Sequence, residues 1–383
     1  MDSVYVCMGV LLLLGAVTGR PNHKQQRVEV HHSHREGSIA RRRHDSAQSE
    51  RRYGNGNNKL FVCPAFLVPD RVAAQKAMFM HAEEWKTVLE LITSSDGGYH
   101  FHEYQLFNLA IEDAQSFAQF FKARPNITVS IEVGGYLCDG QKSAQNALQN
   151  LQNYTSAGGR IDQWALESIF SRTMRGCAGK IKTFQQVADQ AALYVQELKK
   201  AMPHVQFGVI DAVPHFSAGK YPASNQTRTN LGDIRDALST LNKTLAGIGT
   251  KLQFYWADCP YEYSAAFAGN VGYEKLEFIA NYTTNELGIR MGKIFNSEKG
   301  GETSSKMFYD RSLEDYHRYI ATGNSAAYTS DVIAESWYKF PADVIPETDP
   351  YTFMYTAKAI LQAAADHTPP RYNRQMFRKG HQL

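Results

Sequence analysis

Seven side chains in this chain could carry chemistry, and each stands at the far end of a short apolar run. They are Glu103, Glu132, Glu167, Asp211, Asp258, Asn296 and Glu335. Glu132, Glu167, Asp211 and Glu335 sit inside their runs rather than after them. A carboxyl buried in apolar surroundings needs a partner or takes up a proton, so such positions are disfavoured unless the acid is used. Acids perturbed in this way gather at active sites. The plainer reading is that the acids pair with a cation on a neighbouring run, and Lys293 is the obvious candidate. Parity favours use. Side chains alternate across a strand, so Thr128, Ser130 and Glu132 share a face, as do Gln163, Ala165 and Glu167, and Asp331, Ile333 and Glu335. If those faces look into a common interior, three acids converge.

Paired carboxyls suit cleavage of a glycosidic bond. One, with a raised pKa, protonates the leaving oxygen; the other is nucleophile at about 5 Å separation or base at roughly 6.5–9.5 Å. Glu167 is expected as the acid and Glu335 as its partner. Glu132, Asp211, Asp258 and Asn296 would bind sugar hydroxyls or tune the pair. Trp337, Tyr136 and Trp256 lie near the same run ends, as do Trp164, Tyr255, Tyr261 and Tyr263. Their rings could stack on sugar faces, although core or rim packing explains any one of them alone. His102 and His215 read singly as hydrogen-bonded structural residues.

This reading needs no cofactor. A second enzyme reading gives Glu132, Glu167, Asp211 and Glu335 with His215 to Mg²⁺ or Mn²⁺, ions that favour oxygen ligands. The His100-x-His102-Glu103 segment keeps a phosphodiesterase-like version open. A third reading is a non-catalytic extracellular or matrix protein that reuses the same fold.

The positioning elements follow from periodicity. From Leu60 onward, short β-branched or aromatic runs alternate with longer helical patterns, which argues for βα units and a parallel sheet. The runs begin at Leu60, Tyr99, Ile127, Ile161, Gln206, Lys251, Ile289 and Asp331. Helical stretches follow near 71–92, 111–123, 143–154, 183–201, 231–245, 273–286, 313–321 and 352–365. Eight such units over residues 60–368 match a (β/α)₈ TIM barrel, an α/β fold whose active sites lie at the C-terminal strand ends. The rival, an open doubly wound sheet, has a glycine-rich first turn that is missing after Leu60–Leu67.

Outside the barrel, residues 1–19 read as a signal peptide, because the apolar core Val10–Val17 is too short to span a bilayer. An uncleaved anchor is the bland alternative. Residues 20–59 hold Arg41-Arg-Arg43, Arg51-Arg52 and a His31–His34 cluster with few apolar residues. A disordered basic leader or propeptide is expected there, and 369–383 reads as a polar tail. The net charge is +3, with much of the excess in that leader. The folded part is close to neutral, so no nucleic-acid partner is expected. No later segment suits stable membrane insertion, and the oligomeric state is open.

Secretion is also favoured by five N-x-[ST] sequons, at Asn126, Asn153, Asn225, Asn242 and Asn281. Cys7 leaves with the signal peptide. Cys138 and Cys177 fall in successive loops on one face and are the expected disulfide, while Cys63 reads as a buried free thiol. No cysteine pair has C-x-x-C spacing, so the pattern marks no zinc site.

The strand order and several short motifs resemble secreted glycoside-hydrolase-type barrels. Gly158-Gly-Arg-Ile-Asp-Gln-Trp-Ala-Leu-Glu167 is similar to their acid-ending fourth strand. Pro203-His-Val-Gln-Phe-Gly-Val-Ile-Asp211 resembles their fifth, and Glu335-Ser-Trp337 their close on strand eight. The resemblance covers Leu60–His367 and implies a carbohydrate ligand or substrate. The chain departs from the large retaining clan, which has Asn-Glu on strand four and a nucleophilic Glu on strand seven. Here Leu166 precedes Glu167, and strand seven runs into Asn296-Ser-Glu298.

Overall fold

Eight parallel strands close on themselves in sequence order. They are β1 (Leu60–Cys63), β2 (Gly98–His102), β3 (Thr128–Gly134), β4 (Gln163–Glu167), β5 (Gln206–Ala212), β6 (Phe254–Asp258), β7 (Arg290–Phe295) and β8 (Asp331–Glu335), with β8 paired back to β1. The computed structural model describes residues 58–227, 229–265, 271–321 and 331–367. The signal peptide, nearly all of the basic leader and the tail expected at 369–383 lie outside the described residues. With helices between the strands, the chain forms the (β/α)₈ barrel its periodicity implies.

Local chemistry accounts for most element ends. β1 stops at Cys63, well short of Leu67, because Pro64 has no N–H to continue a ladder. The helix Phe184–Ala201 starts on a capping box: Thr183 accepts from the Gln186 N–H, and the Gln186 side chain accepts from the Thr183 N–H. Its apolar stripe of Val187, Ala188, Ala191, Ala192, Val195 and Leu198 is buried. The pattern over 71–92 is three pieces, Arg71–Met80, the 3₁₀ turn Ala82–Trp85 and Lys86–Ser94. Short helices at Glu103–Leu106, Ile169–Gly176 and Glu298–Thr303, which hydrophobic period does not reveal, follow β2, β4 and β7.

Parity divides the strands into two faces. Outward residues such as Val62, Tyr99, Val129, Trp164, Phe207, Tyr255, Met291 and Val332 pack against the helices. Inward residues Phe61, Ala165, Ile210, Phe254, Trp256, Ile294 and Ile333 fill the interior as a separate apolar cluster. Each large side chain buried in this way contributes about 1.5–3 kcal/mol. The barrel interior is therefore a filled plug, mostly apolar, with His100 and Ser130 as a buried polar pair against it.

Lys293 has the outward parity of Met291 and does not reach the strand-end acids. It donates instead to Asp315 on the helix Ser305–Ala321 at 2.5 Å, and both side chains are fully buried. The Tyr273 hydroxyl donates to the same carboxyl at 2.9 Å. The alternative pairing of Lys293 with the acids is thus replaced by a link between sheet and helix layer.

Cys138 and Cys177 form a disulfide joining the loops after β3 and β4, while Cys63 and Cys259 are free and buried. The sequon residues Asn126, Asn153 and Asn225 are exposed; Asn242 and Asn281 are half-buried. Among the described residues no helix is long and apolar enough to cross a membrane.

Candidate active site

At the C-terminal end of the barrel the inward positions turn from apolar to polar together. β1 contributes Cys63, β2 His102, β3 Glu132, β4 Glu167, β6 Asp258 and β8 Glu335, and Asn296 follows β7. Register sets the neighbours: Cys63 pairs with Glu335, and His102 with Glu132. On β4, Glu167 pairs with Gly134, two residues beyond Glu132 on β3. These side chains form a ring above the plug.

Two residues expected in the ring lie elsewhere. Asp211 has the parity of Phe207 and Val209, so its carboxyl faces the helix layer behind Glu167. It is fully buried and accepts from the Ala212 N–H at 2.9 Å. Trp256 points inward, but from the middle of β6. It is fully buried in the plug, against Phe61 and Phe254, and its indole N–H donates to Asp331 at 3.0 Å. Asp331 is the first residue of β8, so Trp256 is floor rather than wall. His215, the imidazole of the Mg²⁺ or Mn²⁺ reading, follows β5 in the turn Val213–His215. Trp164 and Tyr255 face outward into the helix-packed core.

Glu167 is held from two sides. The Ser168 hydroxyl donates to Oε1 at 2.6 Å, and Arg172 Nη2 lies 2.6 Å from Oε2. Ser168 adopts a left-handed backbone with φ of 52°, uncommon outside glycine, while its N–H bonds Ile210 O at 2.7 Å. The kink directs the chain into Ile169–Gly176, which carries Arg172 back over the ring. Gly134 permits that approach, since a Cβ there would stand 2.1 Å from Arg172 Nη1 and 2.6 Å from Glu167 Oε2. Among the described residues, no other Lys or Arg lies within ion-pair distance of a ring carboxyl.

Glu132 is held by imidazoles. Its Oε1 bonds His102 Nδ1 through a short contact, its Oε2 lies 3.5 Å from His100 Nε2, and Oε2 has no hydrogen-bond partner. His100 Nδ1 contacts Ser130 Oγ at 2.8 Å. His102 Nε2 looks towards Cys63 Sγ at 3.4 Å and the Ser336 carbonyl at 3.2 Å. Neither oxygen of Glu335, fully buried, has a hydrogen-bond partner, and both amide atoms of Asn296 also lack one.

Crowded carboxyls with little counter-charge separate in proton affinity. Burial works to raise Glu132, but His102 and His100 outweigh it and hold the group far below the usual carboxylate range. Burial works to lower His102, and the Glu132 charge beside it outweighs that, so the imidazole is raised. Glu167 is pushed up to about 7, by burial first and then by Glu132, against the pull of Arg172. Glu103, whose Oε2 accepts from the Gly134 N–H at 3.1 Å, is raised by burial to about 7 despite Arg172. Asp258 keeps part of its surface open, yet burial, Glu167 and Glu132 raise it to about 8. Burial, Glu132 and Asp258 drive Glu335 well above the carboxylate range.

These shifts imply a stability profile. Acids with raised folded pKa values bind more protons when folded than when unfolded, so they stabilise at low pH and lose that effect as pH rises through about 7 to 8. The raised His102 acts in the same direction. The depressed Glu132 acts oppositely, stabilising above its unfolded value and losing that contribution only in strong acid. The melting temperature should therefore rise as pH is lowered from 8 to 5. One net proton corresponds to about 1.4 kcal/mol per pH unit, or roughly 2–4 °C. A melting temperature that falls steadily over that window in a scanning calorimeter would contradict these assignments.

Sequence reasoning did not join Cys63, Ser168 and Arg172 to this ring, and it read His102 singly. A signal for His102 was present. His100 and His102 on β2 share the parity of Ser130 and Glu132 on β3, so adjacent strands carry matching polar faces. Aromatic rings flank the mouth. Tyr104 stacks on His102 at 5.2 Å, Trp337 lies 6.0 Å from the same imidazole, and the exposed Tyr136 covers Gly176 beside the disulfide. A hollow of about 250 Å³ opens between the segments after β1 and β8, lined by Ala65, Phe66, Ser336 and Tyr338 but by none of the ring acids.

No family model and no curated protein matches the chain. Solved structures match over most of its length. Active domain 2 of a thermostable chitinase from Pyrococcus furiosus is 12% identical with a TM-score of 0.42, covering 82% of this chain and 98% of its own. The β-mannanase of the blue mussel Mytilus edulis is 13% identical with a TM-score of 0.44, covering 80% and 92%. An aldo/keto reductase from Brucella melitensis is 11% identical with a TM-score of 0.37, covering 80% and 93%.

Proposed function

We propose that the protein is a secreted glycoprotein that binds carbohydrate at the C-terminal mouth of the barrel and hydrolyses a glycosidic bond there. One observation carries the proposal: neighbouring strands present at one opening a carboxyl gripped by two imidazoles and another held by Ser168 and Arg172. Burial raises Glu167 to about 7, so it holds its proton up to that pH, while His102 and His100 keep Glu132 ionised. Environments that drive two acids apart in this way mark an acid and its partner. Glu167 is the proton donor to the leaving oxygen. Glu132, held as a carboxylate by His102 and His100, is its partner on the neighbouring strand.

Glu335, the partner that strand parity suggests, lies fully enclosed and keeps its proton, so it supports the ring from below. Asp258 and Asn296 supply hydrogen bonds to hydroxyls, and Trp337 and Tyr136 supply flat faces. A purely structural or matrix role fits less well, because such a role would have the ring acids neutralised by lysine or arginine, and among the described residues only Glu167 has such a partner.

The test is a screen of the full secreted protein against a panel of glycosides and immobilised glycans. Turnover of at least one linkage is expected, with saturable binding of the matching glycan. Neither turnover nor saturable binding across the panel would remove the proposal. Occupancy of Asn126, Asn153 and Asn225, read by mass spectrometry before and after deglycosylation, tests secretion.

A further inference from the structure

We propose that Cys63, His102 and Glu335 form a binding site for a zinc-class divalent ion at the base of the mouth. The three side chains come from β1, β2 and β8 and are all buried. One potential ligand atom from each lies within 4.8 Å of the others. Their chemistry, one sulfur, one imidazole nitrogen and one carboxylate oxygen, suits a borderline metal and not the oxygen-seeking Mg²⁺ or Mn²⁺.

The spacing fits. Cys63 Sγ and His102 Nε2 are 3.4 Å apart. With zinc bonds of about 2.3 Å to sulfur and about 2.05 Å to nitrogen, that separation subtends roughly 103°, close to tetrahedral. Three protein ligands leave a fourth position open for water or a ligand group, the pattern of sites where the ion does chemistry.

Two further observations point to an ion. Glu335 is fully buried beside Cys63, its Oε1 3.9 Å from His102 Nδ1 and neither oxygen in a hydrogen bond of normal geometry, an arrangement that costs free energy unless something binds there. The other nitrogen of His102 is bonded to Glu132, the carboxylate support that metal-bound histidines usually have. His102 Nε2 stands 3.4 Å from Cys63 Sγ and 3.2 Å from the Ser336 carbonyl, which can only accept, so an ion bound here would take the place of the proton that Nε2 gives that carbonyl. Binding would release the Cys63 thiol proton, the His102 Nε2 proton and any proton on Glu335 to solvent, leaving thiolate, imidazole and carboxylate on the ion.

The site shares the mouth with the proposed carbohydrate cleft but does not rest on that reading. Its test therefore uses no glycan. The full-length protein, stripped with chelator, is titrated with Zn²⁺ against a chromophoric competitor and separately with Co²⁺ in an absorbance cuvette. One equivalent is expected, with a thiolate-to-cobalt charge-transfer band and one proton or more released per ion. Cys63→Ser should abolish the band and weaken Zn²⁺ binding at least about 100-fold, while Cys259→Ser, altering the other free thiol, leaves both unchanged. Substoichiometric uptake by the wild-type protein, or cobalt bound without the thiolate band, overturns the site even if Cys63→Ser fails to fold.

Discussion

Glu167→Gln should lower turnover of the best substrate by about 10²- to 10⁴-fold, the usual worth of a general acid. Glutamine keeps the shape and can still face Ser168 and Arg172, but it has no proton to deliver. The loss should appear in kcat with little change in KM, since ground-state contacts persist. A pH profile separates a proton donor from a structural residue. The donor must be protonated, so wild-type activity should fall as pH rises through about 7. Arg172 favours the charged form of Glu167, so Arg172→Met should raise that pKa and move the alkaline limb to higher pH. Glu167→Gln should lose the limb altogether. Turnover within about threefold of wild type in Glu167→Gln, far short of the general-acid range, would end the assignment.

Lys293→Met should destabilise the fold by about 3–5 kcal/mol, because removing one member of a buried pair leaves the other charge uncompensated. Lys293 and Asp315 are both fully buried, and the lysine also donates to the Cys259 and Ile294 carbonyls at 3.1 Å each. In the variant, Asp315 retains Tyr273 as a donor but loses its cation. Burial already raises Asp315, with Lys293 opposing, so without Lys293 the carboxyl should protonate more readily. The damage should then shrink as pH falls. Urea denaturation at two pH values measures it. A change below about 1 kcal/mol at neutral pH would place the pair among ion pairs that contribute little. Lys293→Met with Asp315→Leu should recover much of the loss, as buried pairs replaced by apolar groups often do.

The barrel was legible from Leu60 onward because the two periods that specify it, 2 and 3.6, alternate cleanly along the chain. The convergence of Glu132, Glu167 and Glu335 was legible for the same reason: parity alone sends them inward. Parity also carries the limits of such a reading. Asp211 ends its run as Glu167 does, yet it is one step out of phase with the interior residues Gly208 and Ile210, and a strand end counted without phase misplaces it. Trp256 is in phase but sits one layer too deep, and depth depends on the stagger between strands, which no single strand displays. Lys293 was a sensible partner by proximity, but its phase delivers it to Asp315. The Cys63, His102 and Glu335 group is drawn from three strands far apart in the chain, with no local spacing to announce it. Arg172 reaches Glu167 only because Ser168 takes a left-handed turn, a conformation to which composition and period are blind.

The tryptophan-centred floor has a consequence for traffic. Phe61, Phe254 and Trp256 block the axis, and the Trp256–Asp331 bond, reinforced by Arg290 at 2.7 Å, closes the far end. Nothing can thread such a cylinder. A glycan bound as proposed would lie across the rim or dip one terminus into it, and any product would leave through the same opening.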